Sequence, residues 1–238
     1  GEFEKVLDKS LEMIDYKGFE ARRAEARKRG KLRGIGMSYT IEKAAAPGYE
    51  GAEVRFDRTG SITLVSGAVS HGQGHETVFK QIVSDMLGIH PDEIHYLQGD
   101  TDQVFFGEGT GGSAVKVATV KVVDKAKKIA AHMLGVDEVD FSEGVFTARE
   151  TNRTLSMKDV ARAAMSPKNI PQGMELGLNA TAAYHTTRQN YPNGCHIVEL
   201  EIDEDTGQVE MDRYVVVDDV GTVLNPLLLK GQIIGGIS

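Results

Sequence analysis

Three glycine-rich segments contain the residues of this chain that are best suited to binding an anionic ligand. The first is His71-Gly72-Gln73-Gly74-His75. Its two glycines allow a ligand to approach the backbone closely, and Gln73 offers both a donor and an acceptor. If a helix follows, its first backbone N–H groups attract anions. A plain tight turn is the alternative interpretation, and a metal site formed by His71 and His75 is disfavoured because glycines separate the two side chains.

The second segment runs from Gly107 to Ser113 and is rich in glycine. Lys116 lies in the first turn of the helix that is predicted to follow. A cation is unfavourable at that end of a helix, so an anionic ligand would explain its presence. The segment lacks the Gly-Lys-Ser/Thr step of a Walker loop and the glycine spacing of a Rossmann fingerprint. A flexible loop with a solvated lysine is the alternative.

The third segment is Val217-Asp218-Asp219-Val220-Gly221, followed by Asn225-Pro226 and Gly231-Gln232. Paired acids can do acid–base chemistry. No histidine or lysine lies close by in sequence to tune a proton transfer, so capping a turn or accepting hydrogen bonds from ligand amines is favoured. The apolar, glycine-rich stretch that reaches Ser238 predicts that the sequence is part of a longer chain.

Helices and hairpins are predicted to position these segments. Apolar residues at helical spacing predict helices over 76–87 and 113–134, and a helical region over 4–30 with Val6, Met13 and Ile14 on its inner face. Alternating strands predict two similar hairpins, with turns at 57–60 and 203–207. The predicted fold class is α+β, with mixed, mainly antiparallel sheets, packed helices and two similar lobes.

The composition is that of an ordinary globular protein, with 40% hydrophobic and 26% charged residues. No membrane span is predicted, since no run approaches about 18 apolar residues. The net charge of −8 argues against a nucleic-acid partner. The basic run from Arg22 to Arg33 is interpreted as a solvated surface or a contact with missing parts. Cys195 is the only cysteine, which excludes an intrachain disulfide and fits a cytoplasmic location.

Taken in this order, the three segments resemble the large, molybdenum-cofactor-binding subunit of the xanthine dehydrogenase and aldehyde oxidase family. The resemblance is closest to its bacterial branch of aerobic carbon monoxide dehydrogenase large chains. The matching stretches are 66–77, 98–113 and 190–236, within residues 34–238. The family often has glutamine where this chain has His71. The cofactor-binding residues that the resemblance implies are Gly72, Gln73, Gly74, Gly112, Ser113, Ala114, Val115, Lys116, Asp219 and Gln232.

The resemblance also implies a domain organisation. Residues 1–33 would be a helical lead-in, 34–180 a first molybdopterin-binding lobe, and 181–238 the start of a second lobe. The family's catalytic glutamate would lie beyond Ser238, so the resemblance assigns no catalytic residue and no metal ligand to this chain. The fragment by itself is therefore predicted to be inactive and to lack the cofactor.

The activity implied for the parent protein is that of a molybdenum hydroxylase, an oxidoreductase. Its small-molecule substrate would be an aldehyde, an N-heterocycle or carbon monoxide, and the oxygen would come from water. The implied cofactor is molybdopterin with molybdenum, with the cytosine dinucleotide as one form that it can take. Iron–sulfur and flavin subunits or domains are the implied partners. One alternative hypothesis is a stand-alone α+β binding or interaction module without molybdenum, and another is a nucleotide-phosphate-binding enzyme of a different family.

Overall fold

A computed structural model describes residues 2–44, 49–104, 106–107, 113–185 and 189–237. Contacts divide the chain into two units, unit 1 (residues 1–46 and 188–223) and unit 2 (residues 47–187 and 224–238). In chain order the elements are α1 (Phe3–Met13), α2 (Phe19–Lys28), β1 (Lys31–Ile41), β2 (Tyr49–Phe56), β3 (Ile62–Ser66), α3 (His75–Leu87), β4 (Ile94–Gln98), α4 (Ser113–Leu134), β5 (Asp140–Ser142), β6 (Val145–Thr147), β7 (Thr154–Ser156), α5 (Met157–Ala163), β8 (Ala180–His185), β9 (Asn193–Asp203), β10 (Val209–Asp219) and α6 (Pro226–Ile237).

Each unit combines segments that are far apart in sequence. Unit 1 does so because β9 pairs with β1, which brings residues 193–203 onto the N-terminal strand. The predicted boundaries 1–33, 34–180 and 181–238 are instead contiguous. The division into a helical lead-in and two lobes stays a prediction.

Unit 1 is a three-stranded antiparallel sheet in the order β1-β9-β10, with α1 and α2 packed on one face. Its small apolar core contains Val6, Ile14, Cys195 and Ile197. Val6 and Ile14 are buried as predicted, whereas the prediction for Met13 is wrong, because this side chain is 53% exposed. The buried face of α1 is centred nearer Ser10, which turns Met13 to its margin.

The basic run is not simply a solvated surface, because three of its arginines bind acidic residues of β9. Arg22 Nε donates to Glu199 Oε1 at 2.9 Å, Arg33 also binds Glu199, and Arg29 donates to Glu201 Oε1 at 2.6 Å. The side chain of Glu199 is completely buried. Burial raises the pKa of Glu199, but the hydrogen bonds from Arg22 and Arg33 outweigh that effect and leave the pKa below its ordinary value. The arginines therefore neutralise carboxylates that could not otherwise be buried.

Unit 2 contains a four-stranded mixed sheet in the order β4-β3-β2-β8, in which only the β3–β4 pair is parallel. The two predicted long helices are confirmed as α3 and α4. The apolar stripe of α4 includes Val115, Ala118 and Val122, which are buried in the core with residues of β2 and β3. A small sheet of β5, β6 and β7 and the short helix α5 complete this unit.

Both predicted hairpins are confirmed, as β2–β3 and β9–β10. An aspartate organises each turn. Asp57 Oδ1 accepts from the Thr59 N–H at 2.8 Å, and Asp203 Oδ1 accepts from the Thr206 N–H at 2.9 Å. The predicted class, α+β with mainly antiparallel sheets, is confirmed. Among the described residues, no helix combines the length and apolar character needed to cross a membrane.

Candidate functional site

The first glycine-rich segment connects β3 to the start of α3 in unit 2. Gly72 and Gly74 have φ values of +100° and +79°, in the region that favours glycine. Gly74 is the N-cap residue of α3, so the loop lies at the end of the helix where backbone N–H groups lack intrahelical partners. The space beside Gly72 is open, since a Cβ atom added there would meet no heavy atom within 4 Å. A ligand can therefore approach the backbone here.

Two glutamines hold this loop in shape. Gln73 Oε1 accepts from the backbone N–H of His71 and from Ser70 Oγ. Gln98 Oε1, at the end of β4, accepts from the Ser70 N–H at 3.1 Å and from Tyr96 Oη at 3.0 Å. Since β3 and β4 are parallel, their carboxyl ends meet at one edge of the sheet, which places Gln98 beside the loop that leaves β3.

Gly107, the first residue of the second segment, contacts Gly67, which directly follows β3 and precedes the first segment by four residues. A Cβ atom added to Gly67 would overlap the carbonyl oxygen of Phe106 and the backbone of Gly107, and one added to Gly107 would overlap the backbone of Gly67. Only glycine fits at both positions, so the backbone just after β3 lies directly against the backbone of Phe106 and Gly107. Gly112 was predicted to bind the cofactor, and it lies outside the described residues.

The start of α4 differs in detail from the prediction. The N–H of Ser113 donates to Glu50 Oε2 of β2 at 2.7 Å, so a carboxylate already stands where an anion would be favoured. Ala114 and Val115 are each only 1% exposed and belong to the core. Contacts of these two residues with a ligand would therefore come from the backbone, whereas the side chain of Lys116 is exposed.

The last part of the third segment, from Asn225 to Gln232, contacts the first loop. It belongs to α6, a helix that the sequence analysis did not predict. Asn225 Oδ1 caps it by accepting from the Leu228 N–H at 3.0 Å. The adjacent carbonyl oxygen of Leu224 accepts from Gln81 Nε2 of α3 at 2.8 Å. Further along α6, Gln232 Nε2 donates to the Gly72 carbonyl oxygen at 3.1 Å. The structure thus joins Gln232 directly to the predicted loop.

Asp219 belongs to unit 1, where it ends β10. Its Oδ1 accepts from the Gly221 N–H at 3.1 Å, so this carboxylate caps a turn. Asp218 faces His196, with 3.7 Å between Asp218 Oδ1 and His196 Nε2. Turn capping agrees with one of the two roles that the sequence favoured for this acidic pair.

The two histidines of the first segment lie in different environments. His71 is exposed, whereas His75 is buried and stacks on Phe79 with 4.7 Å between ring centroids. Within the parts of the chain that the structure describes, no group of three histidine, cysteine or acidic side chains is arranged to hold a metal ion. The amides of Gln73, Gln98 and Gln232 at the first loop suit hydrogen bonding to a polar molecule. The charged groups at the start of α4 are the carboxylate of Glu50 and the ammonium group of Lys116.

The fold and site define a class of protein: an α+β domain whose glycine-rich loops lie at the starts of helices. The sequence profile of the family described as "Molybdopterin cofactor-binding domain" matches residues 9–238, and the chain belongs to this family. Among the functional hypotheses drawn from the sequence, the match supports a molybdopterin-binding domain.

Curated relatives agree with this assignment. The chain is 36% identical to the nicotine 6-hydroxylase large subunit of Paenarthrobacter nicotinovorans, over 100% of this chain and 32% of that protein. It is 34% identical to the carbon monoxide dehydrogenase large chain of Afipia carboxidovorans, over 100% of this chain and 33% of that protein. The chain therefore spans about a third of the length of these relatives.

Solved structures show the same fold. Reconstituted CO dehydrogenase from Oligotropha carboxidovorans superposes with a TM-score of 0.88 and 33% identity, over 99% of this chain and 33% of that chain. Quinoline 2-oxidoreductase from Pseudomonas putida 86 superposes with a TM-score of 0.87 and 30% identity, over 100% of this chain and 33% of that chain. The resemblance inferred from the three segments is confirmed at the level of the family.

Proposed function

We propose that this chain is the part of a molybdenum hydroxylase large subunit that holds molybdopterin through the loops at Gly72–Gly74 and at the start of α4. The observation that carries the proposal is the convergence of three stretches of unit 2 that are far apart in sequence. Gly107 contacts Gly67 at the start of the loop between β3 and α3, and Gln232 of α6 donates a hydrogen bond to Gly72 in the same loop.

The residues have different roles in this proposal. Gln73 uses its Oε1 atom within the loop, which orients its Nε2 group as a donor for an oxygen of the cofactor. Gln232 acts on the loop by holding the Gly72 carbonyl oxygen, so it is a positioning residue. Ser113 and Lys116 supply a hydroxyl and a positive charge at the start of α4. Binding of an anionic group there requires Glu50 to move or to share the Ser113 N–H.

When bound, the cofactor supplies the oxidation–reduction chemistry, through molybdenum and oxygen derived from water. The whole enzyme would oxidise an aldehyde, an N-heterocycle or carbon monoxide. Its cofactor would be molybdopterin, with the cytosine dinucleotide as one form, and its partners would be iron–sulfur and flavin subunits or domains in the cytoplasm. The catalytic glutamate would come from another part of the large subunit. We therefore expect residues 1–238 alone to contain no molybdenum and to oxidise none of these substrates with a dye acceptor.

The test is the cofactor content of the complete large subunit, measured as molybdenum and as oxidised pterin released per polypeptide. A hydrogen bond to a charged group contributes about 1.5–3 kcal/mol, which corresponds to about tenfold or more in affinity. Gln73→Ala is expected to lower the content, and Ser113→Ala to lower it as well. Gln172→Ala, an exposed glutamine outside the loops, is the matched control and should leave the content unchanged. Full content in both loop variants would contradict the proposed site.

A further inference from the structure

Tyr96 of β4 is a partly buried tyrosine that the resemblance did not assign to the cofactor site. Its ring packs against the apolar core of unit 2, and its hydroxyl group donates to Gln98 Oε1 at 3.0 Å. Tyr96 and Gln98 are two positions apart on one strand, so their side chains lie on the same face of the sheet. Gln98 pairs in register with Ser66, the last residue of β3, so the hydroxyl group acts where the chain leaves the sheet toward the first loop.

Hydrogen bonds continue from Tyr96 into the first loop. Gln98 Oε1 also accepts from the Ser70 N–H at 3.1 Å. Ser70 Oγ donates to Gln73 Oε1 at 3.3 Å and accepts from the Gly72 N–H at 3.3 Å, which uses both the proton and a lone pair of the hydroxyl group. The Tyr96 hydroxyl is thereby connected, through Gln98 and Ser70, to the amide of Gln73.

Backbone groups fix the orientation of both amides in this network. An amide has a donor side and an acceptor side, whereas a backbone N–H can only donate. Gln98 must therefore turn its Oε1 atom toward Ser70, and Gln73 must turn its Oε1 atom toward His71. Burial raises the pKa of the Tyr96 phenol, so the hydroxyl group keeps its proton at neutral pH and donates to Gln98.

The ring of Tyr96 supports the other end of the first loop. It contacts Phe79 edge to face, with 6.2 Å between ring centroids, and Phe79 stacks on His75, the first residue of α3. Aromatic pairs in such geometries are favourable beyond the area that they bury. One side chain of the sheet is therefore linked to Ser70 through its hydroxyl group and to His75 through its ring, and Gln73 lies between these two residues.

We infer that Tyr96 is a positioning residue for the cofactor, because its hydroxyl group holds, through Gln98 and Ser70, the conformation in which Gln73 presents its Nε2 group to the ligand. This inference rests on the proposed function, in which that group donates to an oxygen of molybdopterin. A donor that is already in place loses less freedom when the ligand binds. Loss of the Tyr96 hydroxyl should therefore weaken cofactor retention without removing a group that contacts the cofactor.

The test compares Tyr96→Phe with Tyr184→Phe in the complete large subunit. The first variant removes the hydroxyl group and keeps the ring against Phe79. Tyr184 lies in β8 of the same sheet and packs against the same core, so its substitution is the matched control. Hydrogen exchange at the backbone amides of residues 70–73 is measured in subunit from a host that cannot make molybdopterin. Cofactor content is measured separately, in subunit from a host that can.

Gln98 provides a second pair of variants. Gln98→Glu keeps a side-chain oxygen that can accept from both Tyr96 and Ser70, whereas Gln98→Met has a similar length and only a weakly accepting sulfur. Exchange at residues 70–73 should therefore stay close to that of the unaltered chain in Gln98→Glu and become faster in Gln98→Met. A role confined to packing would not produce this rescue by the glutamate.

Tyr96→Phe should speed exchange at residues 70–73 by about two- to tenfold, the effect of losing one ordinary hydrogen bond, and should lower the cofactor content. Tyr184→Phe should change neither quantity. The remote turn at residues 203–207 should exchange equally in every variant. Unchanged exchange at residues 70–73 in both Tyr96→Phe and Gln98→Met would overturn the inference.

Full cofactor content in Tyr96→Phe, beside a loss in Gln73→Ala, would also overturn the inference, since the loop would then bind the cofactor without help from the Tyr96 hydroxyl. Full content in both Gln73→Ala and Ser113→Ala would instead be a failure of the proposed function. The two failures are distinguishable because exchange in the cofactor-free subunit reports on the loop alone.

Discussion

Gly74→Ala tests whether α6 closes onto the first loop. Gly74 has a φ of +79°, a left-handed conformation that costs a residue with a Cβ about 1–2 kcal/mol. The added Cβ atom would also lie 2.8 Å from Leu228 Cδ1 and 3.0 Å from Leu228 Cδ2 of α6. Both atoms are the methyl ends of a flexible, half-buried side chain that can move aside, so this contact should cost only about 1 kcal/mol, the lower end of the range for overpacking. The free energy of unfolding should therefore fall by about 2–3 kcal/mol in total.

Gly99→Ala is the matched control, because Gly99 has a φ of +69° and no heavy atom within 4 Å of an added Cβ. Gly99→Ala should lower the free energy of unfolding only by the cost of the left-handed backbone conformation, about 1–2 kcal/mol. Both variants are compared by urea unfolding with two spectroscopic probes. Leu228→Ala should remove the clash, so the free energy of unfolding of the double variant should exceed the value expected from the sum of the single effects by about 1 kcal/mol. Equal losses in Gly74→Ala and Gly99→Ala, with no coupling to Leu228, would refute the contact.

Three further predictions concern ion pairs and loop contacts. Glu199→Gln should lower the free energy of unfolding by about 3–5 kcal/mol, since it leaves buried arginines without their charge partner. The control is Glu12→Gln, which alters an exposed ion pair with Lys9 and should change the free energy of unfolding by less than about 0.5 kcal/mol. Folding lowers the pKa of Glu199, so the ionised carboxylate stabilises the fold at neutral pH, and this stabilisation is lost as the pH falls from the ordinary glutamate pKa of about 4.3 through the lowered pKa of the folded state. In acid, the free energies of unfolding of the Glu199→Gln variant and of the unaltered chain should therefore become more similar. Gly107→Ala should force the backbones of positions 67 and 107 apart and lower the cofactor content of the large subunit, and an unchanged content would contradict the contact. Glu50→Gln should increase the affinity of the chain for inorganic phosphate, measured by calorimetry, since it removes the negative charge at the start of α4, and weaker binding would show that Glu50 helps to form the site.

Much of the fold could be predicted from local patterns. The apolar spacing of residues 76–87 and 113–134 indicated α3 and α4, since a helix repeats every 3.6 residues and each segment has one apolar face. Turn residues such as Asp57 and Asp203 marked the two hairpins. The helix α6 was missed although Asn225-Pro226 is an N-cap followed by proline, because the glycine-rich residues after it have a low helical preference.

The contacts that build the candidate site were beyond local reasoning. Gly67 and Gly107 are 40 positions apart, and Glu50 and Ser113 are 63 apart. These pairs meet only after β2, β3 and β4 have assembled into one sheet. The burial of Glu199 has the same origin, since it depends on an arginine from α2 and another from β1. Sequence periodicity describes one element at a time, so it identified the three loops without showing how they join.

The most direct test of the central claim is hydrogen exchange in the complete large subunit, prepared with molybdopterin and from a host that cannot make it. The backbone amides of residues 72–76 and 113–116 should exchange more slowly when the cofactor is bound, because it would contact the loops and restrict their opening. The turn at residues 203–207 should exchange equally in both preparations. Unchanged exchange at both loops, together with cofactor-dependent protection elsewhere in the subunit, would show that the cofactor is held by other residues.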